Sequence, residues 1–239
     1  MKADESPKGA TAALLASKGH TVVVLVILLA LAINGAISLP MRHWAQTGLE
    51  SGERVRLYAT ILATQWLLFW LVRFGIRRAG KTLRQVIDPN RLTLGRWAQC
   101  AAIAIGAGVL WMVVGSALAL ALRPSADDLR TLILLLPRSV FEKGSWIMVS
   151  LSVGFCEEFL YRGYLLTQFR AISGSLAAAV VFQAVLYGGA HSVLPMELVA
   201  ATTVLGLLLG GLAVWRKSLV PGMILHAGID IFGALFSSG

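Results

Sequence analysis

Two adjacent glutamates and an arginine lie within an otherwise apolar stretch, and they are the first candidates for chemistry. The stretch reads G-F-C-E-E-F-L-Y-R-G-Y from Gly154 to Tyr164. An ionised carboxylate at bilayer depth costs at least about 2.5–3.5 kcal/mol, so the default explanation for such groups is function. Glu158 and Arg162 are four residues apart and can pair on one helix face. Glu157 is rotated by about 100° from Glu158 and is not neutralised in that way. We therefore expect Glu158 to be structural and Glu157 to be available for chemistry.

Two more polar pairs with the same spacing follow on later apolar segments. Tyr187 and His191 share one helix face, and His226 and Asp230 share another. Each feature has a structural interpretation when taken alone. A lone histidine in a membrane helix is more often a packing or hydrogen-bonding residue, and a Glu–Arg pair is more often a clasp. Asp230 could merely orient the His226 imidazole. Three such pairs on neighbouring helices are hard to explain as independent packing, so together they predict one site.

The composition is that of an integral membrane protein. Of the 239 residues, 57% are hydrophobic and 14% are charged, whereas soluble domains carry about 25% charged residues. The 21 basic residues against 12 acidic ones fall between apolar spans, which indicates cytoplasmic loops rather than a nucleic-acid surface. Cys100 and Cys156 lie in apolar segments and predict neither a disulfide framework nor a cysteine metal motif. We expect a multi-pass protein of the cell membrane, with the lipid bilayer as a partner.

The elements that must position these residues are apolar helices. We expect an all-α fold, a polytopic bundle of seven or eight transmembrane helices with an intramembrane active site. The expected spans cover 20–40, 56–75, 97–122, 145–169, 174–193, 196–215 and 219–237. Gly206 and Gly210 form a small-x-x-x-small pair, which predicts close packing between helices.

Residues 123–144 decide whether the helices number seven or eight. The run L-R-T-L-I-L-L-L-P from Leu129 to Pro137 is apolar but too short to cross a bilayer comfortably. The strongly basic segment 73–96 is expected in the cytoplasm. Seven spans then place the site nearer the outer face, whereas an eighth span over 125–143 inverts the last four helices and opens the site toward the cytoplasm.

The three polar pairs and their neighbours resemble the three motifs of the CAAX-protease and bacteriocin-processing family. The segments are E-E-F-L-Y-R-G at 157–163, Y-G-G-A-H at 187–191 and H-A-G-I-D at 226–230. They resemble, in order, E-E-x-x-x-R, F-x-x-x-H and H-x-x-x-N/D. The resemblance covers about residues 140–236. Tyr187 stands where phenylalanine is usual, and Asp230 stands where the well-studied proteases have asparagine.

The resemblance implies a glutamate-based intramembrane endopeptidase. In it, Glu157 and His191 activate a water that attacks a peptide carbonyl, and His226 and Asp230 hold the oxyanion. An ionised Asp230 would oppose that role and a protonated one would donate a hydrogen bond; orientation of His226 by Asp230 is the alternative that we favour here. The supporting residues are Glu158, Arg162 and Tyr187.

Substrates and domain organisation follow from the same resemblance. The family's substrates include prenylated tails, leader peptides and membrane-protein segments. The expected organisation is a polar tail at 1–19, variable N-terminal helices at 20–124 and the core of the family at 125–239.

Three other functions use the same residues. A zinc protease would bind the metal through Glu157, His191 and His226, although no H-E-x-x-H motif is present and we expect no cofactor. A proton-coupled transporter would use the carboxylates and histidines as a relay, without the internal duplication typical of carriers. A non-catalytic membrane scaffold would bind a partner helix.

Overall fold

The fold is built from helices that are joined mostly by short turns. The computed structural model describes residues 13–37, 50–90 and 93–237, and all regular structure within these ranges is helical. The predicted all-α class is therefore confirmed. The elements are α1 (Lys18–Ala36), α2 (Ser51–Arg78), α3 (Leu83–Ile87), α4 (Leu94–Leu122), α5 (Ala126–Leu135), α6 (Val140–Glu157), the π-helix π1 (Glu158–Leu165), α7 (Leu166–Ser173), α8 (Leu176–Ala190), α9 (Met196–Arg216) and α10 (Val220–Ser237).

Several of these helices have the length and apolar surface of membrane helices. Within the described parts of the chain, α1, α2, α4 and α9 are each long and apolar enough to cross a bilayer, and α8 and α10 are shorter apolar helices. Large apolar side chains such as Leu67, Met112 and Leu120 are mostly exposed. An outer surface of this kind is stable against lipid and not against water. The chain is an integral membrane protein.

The structure corrects several predicted helix boundaries. The second helix begins at Ser51 rather than 56, because Glu50 and Glu53 form a capping box at its start. The ambiguous segment 123–144 contains the ten-residue α5 and the start of α6 at Val140, where Ser139 caps the helix. The span predicted at 145–169 therefore starts earlier. The last residues of the span predicted at 20–40 lie outside the described residues.

Basic residues collect at one end of the bundle, here termed the basic end. Hydrogen bonds hold the helix termini together there: the Leu219 amide donates to the Ile87 carbonyl at 2.8 Å, and Arg216 donates to Gln99 at 2.8 Å. These contacts join α3, the start of α4, the end of α9 and the start of α10. The basic residues of this end are Lys18, Arg77, Arg78, Lys81, Arg84, Arg96, Arg170, Arg216 and Lys217.

The opposite end, here termed the mixed end, holds the starts of α2 and α6 and the end of α5. The Tyr58 hydroxyl donates to the Leu135 carbonyl at 2.6 Å. Arg54 and Glu142 form a buried ion pair at 3.2 Å between Nε and Oε1. Because breaking one partner of a buried pair leaves an uncompensated charge, this contact fixes α2 against α6.

A buried polar network, here termed the His20 network, attaches α1 to π1 and α7. His20 Nδ1 lies 2.8 Å from the Tyr164 hydroxyl, and His20 Nε2 lies 3.0 Å from the Leu71 carbonyl. Gln168 donates to Thr21 Oγ1 at 2.5 Å and accepts from the Leu15 amide at 2.7 Å. Since polar groups in lipid-facing bundles are stable only when paired, the network fixes α1 beside the segment that carries the glutamates.

Glycines allow the site-bearing helices to approach closely. A methyl group at Gly154 of α6 would lie 2.9 Å from the Ala227 amide nitrogen of α10, so only glycine permits this crossing. The predicted packing of the small-residue pair is also confirmed, because a methyl group at Gly206 of α9 would lie 3.0 Å from the Ala184 Cα of α8. These contacts bring the three polar helices to one place.

Candidate active site

The two glutamates lie at the point where α6 changes into a π-helix. Glu157 is the last residue of α6, and Glu158 is the first of π1. Every residue of π1 is buried. The wider π turn is rare and concentrates at functional sites, because it changes the direction of side chains without ending the helix. The sequence pattern did not predict this change of helix type.

Glu158 lies at the centre of a buried ionic cluster. Its Oε1 accepts from Arg162 NH1 at 2.9 Å, which is the predicted pair, and from His226 Nδ1 at 3.1 Å. The Arg162 guanidinium also lies over the Tyr187 ring, 4.2 Å from its centroid. A methyl group at Gly222 of α10 would lie 2.9 Å from Glu158 Oε2. Glu158 is thus held by hydrogen bonds on one oxygen and by packing on the other.

His226 links this cluster to the remaining site residues. Since Nδ1 donates to Glu158, the other nitrogen is directed toward three oxygens. Nε2 lies 3.2 Å from the Tyr187 hydroxyl, 3.9 Å from Glu157 Oε2 and 3.8 Å from Asp230 Oδ2. The two carboxylate distances exceed those of hydrogen bonds. Orientation of the imidazole therefore comes from Glu158 in this arrangement.

Glu157 is held by a residue that the sequence reasoning missed. Gln65 of α2 donates from Nε2 to Glu157 Oε1 at 2.5 Å. The second oxygen, Oε2, is buried and has no hydrogen-bond partner among the described residues. A signal for Gln65 was present, because it is a polar side chain in the middle of an apolar span. It was overlooked because a neutral amide costs less in lipid than a charge.

His191 and Asp230 lie at the more open side of the cluster. The Asp230 side chain is 29% exposed, whereas the His226 side chain is 3% exposed. His191 follows the last turn of α8 and is half-buried. Its Nδ1 donates to the Tyr187 carbonyl at 2.9 Å, so Nε2 takes no part in this hydrogen bond. The ring packs against Tyr187, with the centroids 4.9 Å apart.

The predicted site residues are thus gathered around His226 and Tyr187. The cluster combines a carboxylate oxygen that has no hydrogen-bond partner among the described residues, the imidazole of His191 and several hydrogen-bond donors, on side chains that are mostly buried. A carboxylate or imidazole in such surroundings can take a proton from water, and fixed donors can stabilise a developing oxyanion. A proton acceptor and oxyanion donors are the groups that hydrolysis of an acyl bond requires.

The candidate ligands for a metal ion are the carboxylate and imidazole groups of the cluster. Among the described residues, no three or more His, Cys, Asp or Glu side chains are arranged so that they could hold one. Glu157 Oε1 is engaged by Gln65 and His226 Nδ1 by Glu158. The residues of the zinc alternative therefore lie together without forming a ligand set.

The fold and the cluster identify the class of protein. It is an integral membrane protein with a buried Glu/His/Asp site inside a helical bundle. Residues 140–232 match the family model described as Type II CAAX prenyl endopeptidase Rce1-like. The resemblance to the CAAX-protease and bacteriocin-processing family is confirmed by this match, which contains all three motifs and supports a membrane endopeptidase. Comparisons with curated proteins and with solved structures each found no match.

Proposed function

We propose that this protein is an intramembrane peptide hydrolase in which Glu157 is the general base. The observation that carries the proposal is the asymmetric environment of its carboxylate. Gln65 holds Oε1, while Oε2 has no partner within the described residues and lies 3.9 Å from His226 Nε2. A base needs one oxygen oriented by the protein and the other available to water.

The reaction assigns separate tasks to the residues around that base. Glu157 Oε2 takes a proton from water as its oxygen attacks the carbonyl carbon of the substrate. His191 Nε2 assists at the open side of the site. The developing oxyanion accepts hydrogen bonds from the Tyr187 hydroxyl and, when the His226 ring carries a proton on each nitrogen, from His226 Nε2. These two atoms lie 3.2 Å apart. Collapse of the tetrahedral intermediate breaks the C–N bond, and the leaving amine takes the proton from Glu157.

Asp230 acts as a third donor in this scheme. Glu158 already orients His226 through Nδ1, and the 3.8 Å between Asp230 Oδ2 and His226 Nε2 is outside hydrogen-bond distance. A protonated Asp230 donates to the oxyanion, as the asparagine in related proteases would. The role is therefore reassigned from orientation of His226 to stabilisation of the oxyanion.

The test compares cells that express the wild type with cells that express Glu157→Gln. Mass spectrometry of membrane peptides should show products that form only with the wild type. In water enriched in ¹⁸O, each product should carry the label in its new C-terminal carboxylate, since hydrolysis places the water oxygen there. Glu197→Gln is the matched control, because Glu197 lies in the first turn of α9 outside the cluster. Identical peptide sets in all three strains would refute a hydrolase and favour a scaffold.

A further inference from the structure

We propose that the site opens toward the non-cytoplasmic face of the membrane, and that the substrates are polypeptide segments reaching the outer half of the bilayer. Such segments belong to exported peptides or to the outer ends of membrane-inserted proteins. The inference rests on the proposed function for the identity of the reaction. Its structural part, the direction of the opening, stands on separate observations.

The charge distribution orients the bundle. Among the described residues, the basic end carries nine exposed or half-exposed lysines and arginines near the helix termini and one acidic residue, Asp88. The mixed end carries both signs in similar numbers, for example Glu50, Glu53, Arg54 and Arg56. Because lysine and arginine are retained on the cytoplasmic side, the basic end faces the cytoplasm.

The ten-residue α5 is too short to cross the bilayer, and this determines the direction in which the later helices cross. Ten residues of helix extend about 15 Å, half the roughly 30 Å of a hydrocarbon core. The contacts of Tyr58 with Leu135 and of Arg54 with Glu142 hold the end of α5 and the start of α6 at the same mixed end. The helical run over residues 140–173 therefore enters from the outer face. In this orientation the helices within the described residues make seven crossings, with α10 directed outward.

The site is closed on its cytoplasmic side. The short helix α3 lies over π1, since a methyl group at Gly163 would lie 2.7 Å from Val86 Cγ1 and 3.0 Å from Leu219 Cδ1. The side chains of Glu158 and Arg162 are at most 1% exposed. These packed residues cover the glutamates on the side of the basic end.

The exposed members of the cluster lie on the other side. Along α10, His226 is about 9 Å and Asp230 about 15 Å from the cytoplasmic start of the helix, at 1.5 Å per residue. Exposure of the side chain rises over the same distance, from 3% at His226 to 29% at Asp230. His191 lies at the outer end of α8, about 22 Å from the start of that helix, and is half-buried. The opening thus faces the mixed end.

The first part of the experiment tests orientation with a matched pair of cysteine variants. Gly52 and Gly95 each lie in the first turn of a helix, and a side-chain carbon at either would meet no atom within 4 Å. A membrane-impermeant maleimide should label Gly52→Cys on intact cells and Gly95→Cys only after permeabilisation. The native Cys100 and Cys156 are buried, and the unaltered protein gives the background. The reverse pattern would overturn the proposal.

The second part tests the opening and the substrates. Asp230→Cys should react on intact cells with an impermeant cationic methanethiosulfonate, and a reaction that appears only after permeabilisation would overturn the proposal. Peptides that depend on Glu157 should derive from segments on the outer side of the membrane. Cleavage in cytoplasmic tails would overturn the substrate assignment. Failure of the hydrolase itself is distinguishable, because no Glu157-dependent peptides would form while the labelling pattern stays as expected.

Discussion

Gly222 provides the sharpest test of the buried cluster, because the space above it is filled by Glu158. An added methyl group would lie 2.9 Å from Glu158 Oε2 and 3.5 Å from Glu158 Cδ. Ordinary contacts of this type begin near 3.4 Å. In Gly222→Ala the carboxylate must therefore move by about half an ångström, away from positions that it occupies with Arg162 and His226 at 2.9 and 3.1 Å.

The cost of that movement has two components. Overpacking a well-packed interior costs about 1–3 kcal/mol, and weakening hydrogen bonds to a charged group adds to this. Misplacement of catalytic groups by an ångström can reduce the rate about 100-fold. We expect Gly222→Ala to lose roughly 2 kcal/mol of stability and to reduce formation of Glu157-dependent peptides by about 10-fold or more, since His226 depends on Glu158 for its orientation.

The measurement pairs this variant with Gly233→Ala on the same helix. A methyl group at Gly233 would meet nothing within 4 Å, so Gly233→Ala should be neutral or gain up to about 1 kcal/mol from helix propensity. Unfolding of purified protein by dodecyl sulfate and initial rates of peptide formation give the two quantities. Equal behaviour of the two variants would contradict the packing of α10 against Glu158, and with it the orientation of His226 by that residue.

Three further predictions concern the groups around the base. Gln65→Ala should reduce the rate of peptide formation about 10-fold or more, because Glu157 loses its fixed orientation. The buried control Gln183→Ala should lower stability and leave the rate per folded molecule unchanged. Equal rates for the two variants would contradict the positioning role of Gln65. Asp230→Asn should keep activity, because asparagine supplies a neutral donor. Asp230→Ala should reduce the rate of peptide formation about 100-fold. An inactive Asn variant would instead indicate that the carboxylate is required. Incubation with a strong zinc chelator should leave the rate of peptide formation unchanged, and a loss that zinc restores would favour the metalloprotease alternative.

The polar motifs were predictable because each one lies within a short stretch of the sequence. A charge in an apolar run is costly, so the positions of Glu157, Glu158 and Arg162 stand out without any knowledge of the fold. The i,i+4 spacing also predicted the contact between Glu158 and Arg162, which the structure contains. Such features depend on helical geometry alone.

The contacts between helices were not predictable in the same way. Gln65 meets Glu157 across 92 residues of chain and His226 meets Glu158 across 68, and no periodicity encodes such pairs. The π-helix is a change in hydrogen-bond register that leaves the residue pattern unaltered. The boundary expected at 124/125 stays a prediction, although Gln65 shows that the N-terminal helices contribute directly to the cluster.

The His20 network also bears on how the chain reaches its folded state during synthesis. Thr21 and Gln168 are separated by 147 residues, so α1 is made well before its polar partners on π1 and α7. At about 5–20 residues per second this interval lasts roughly 7–30 s. Throughout it, the Tyr164 hydroxyl and the Gln168 amide that later bond to His20 and Thr21 are absent, and the Leu71 carbonyl is the earlier partner of His20. Assembly therefore has a late step in which α1 joins the helices that carry the glutamates, and chains that end before Gln168 should be recognised by membrane quality control.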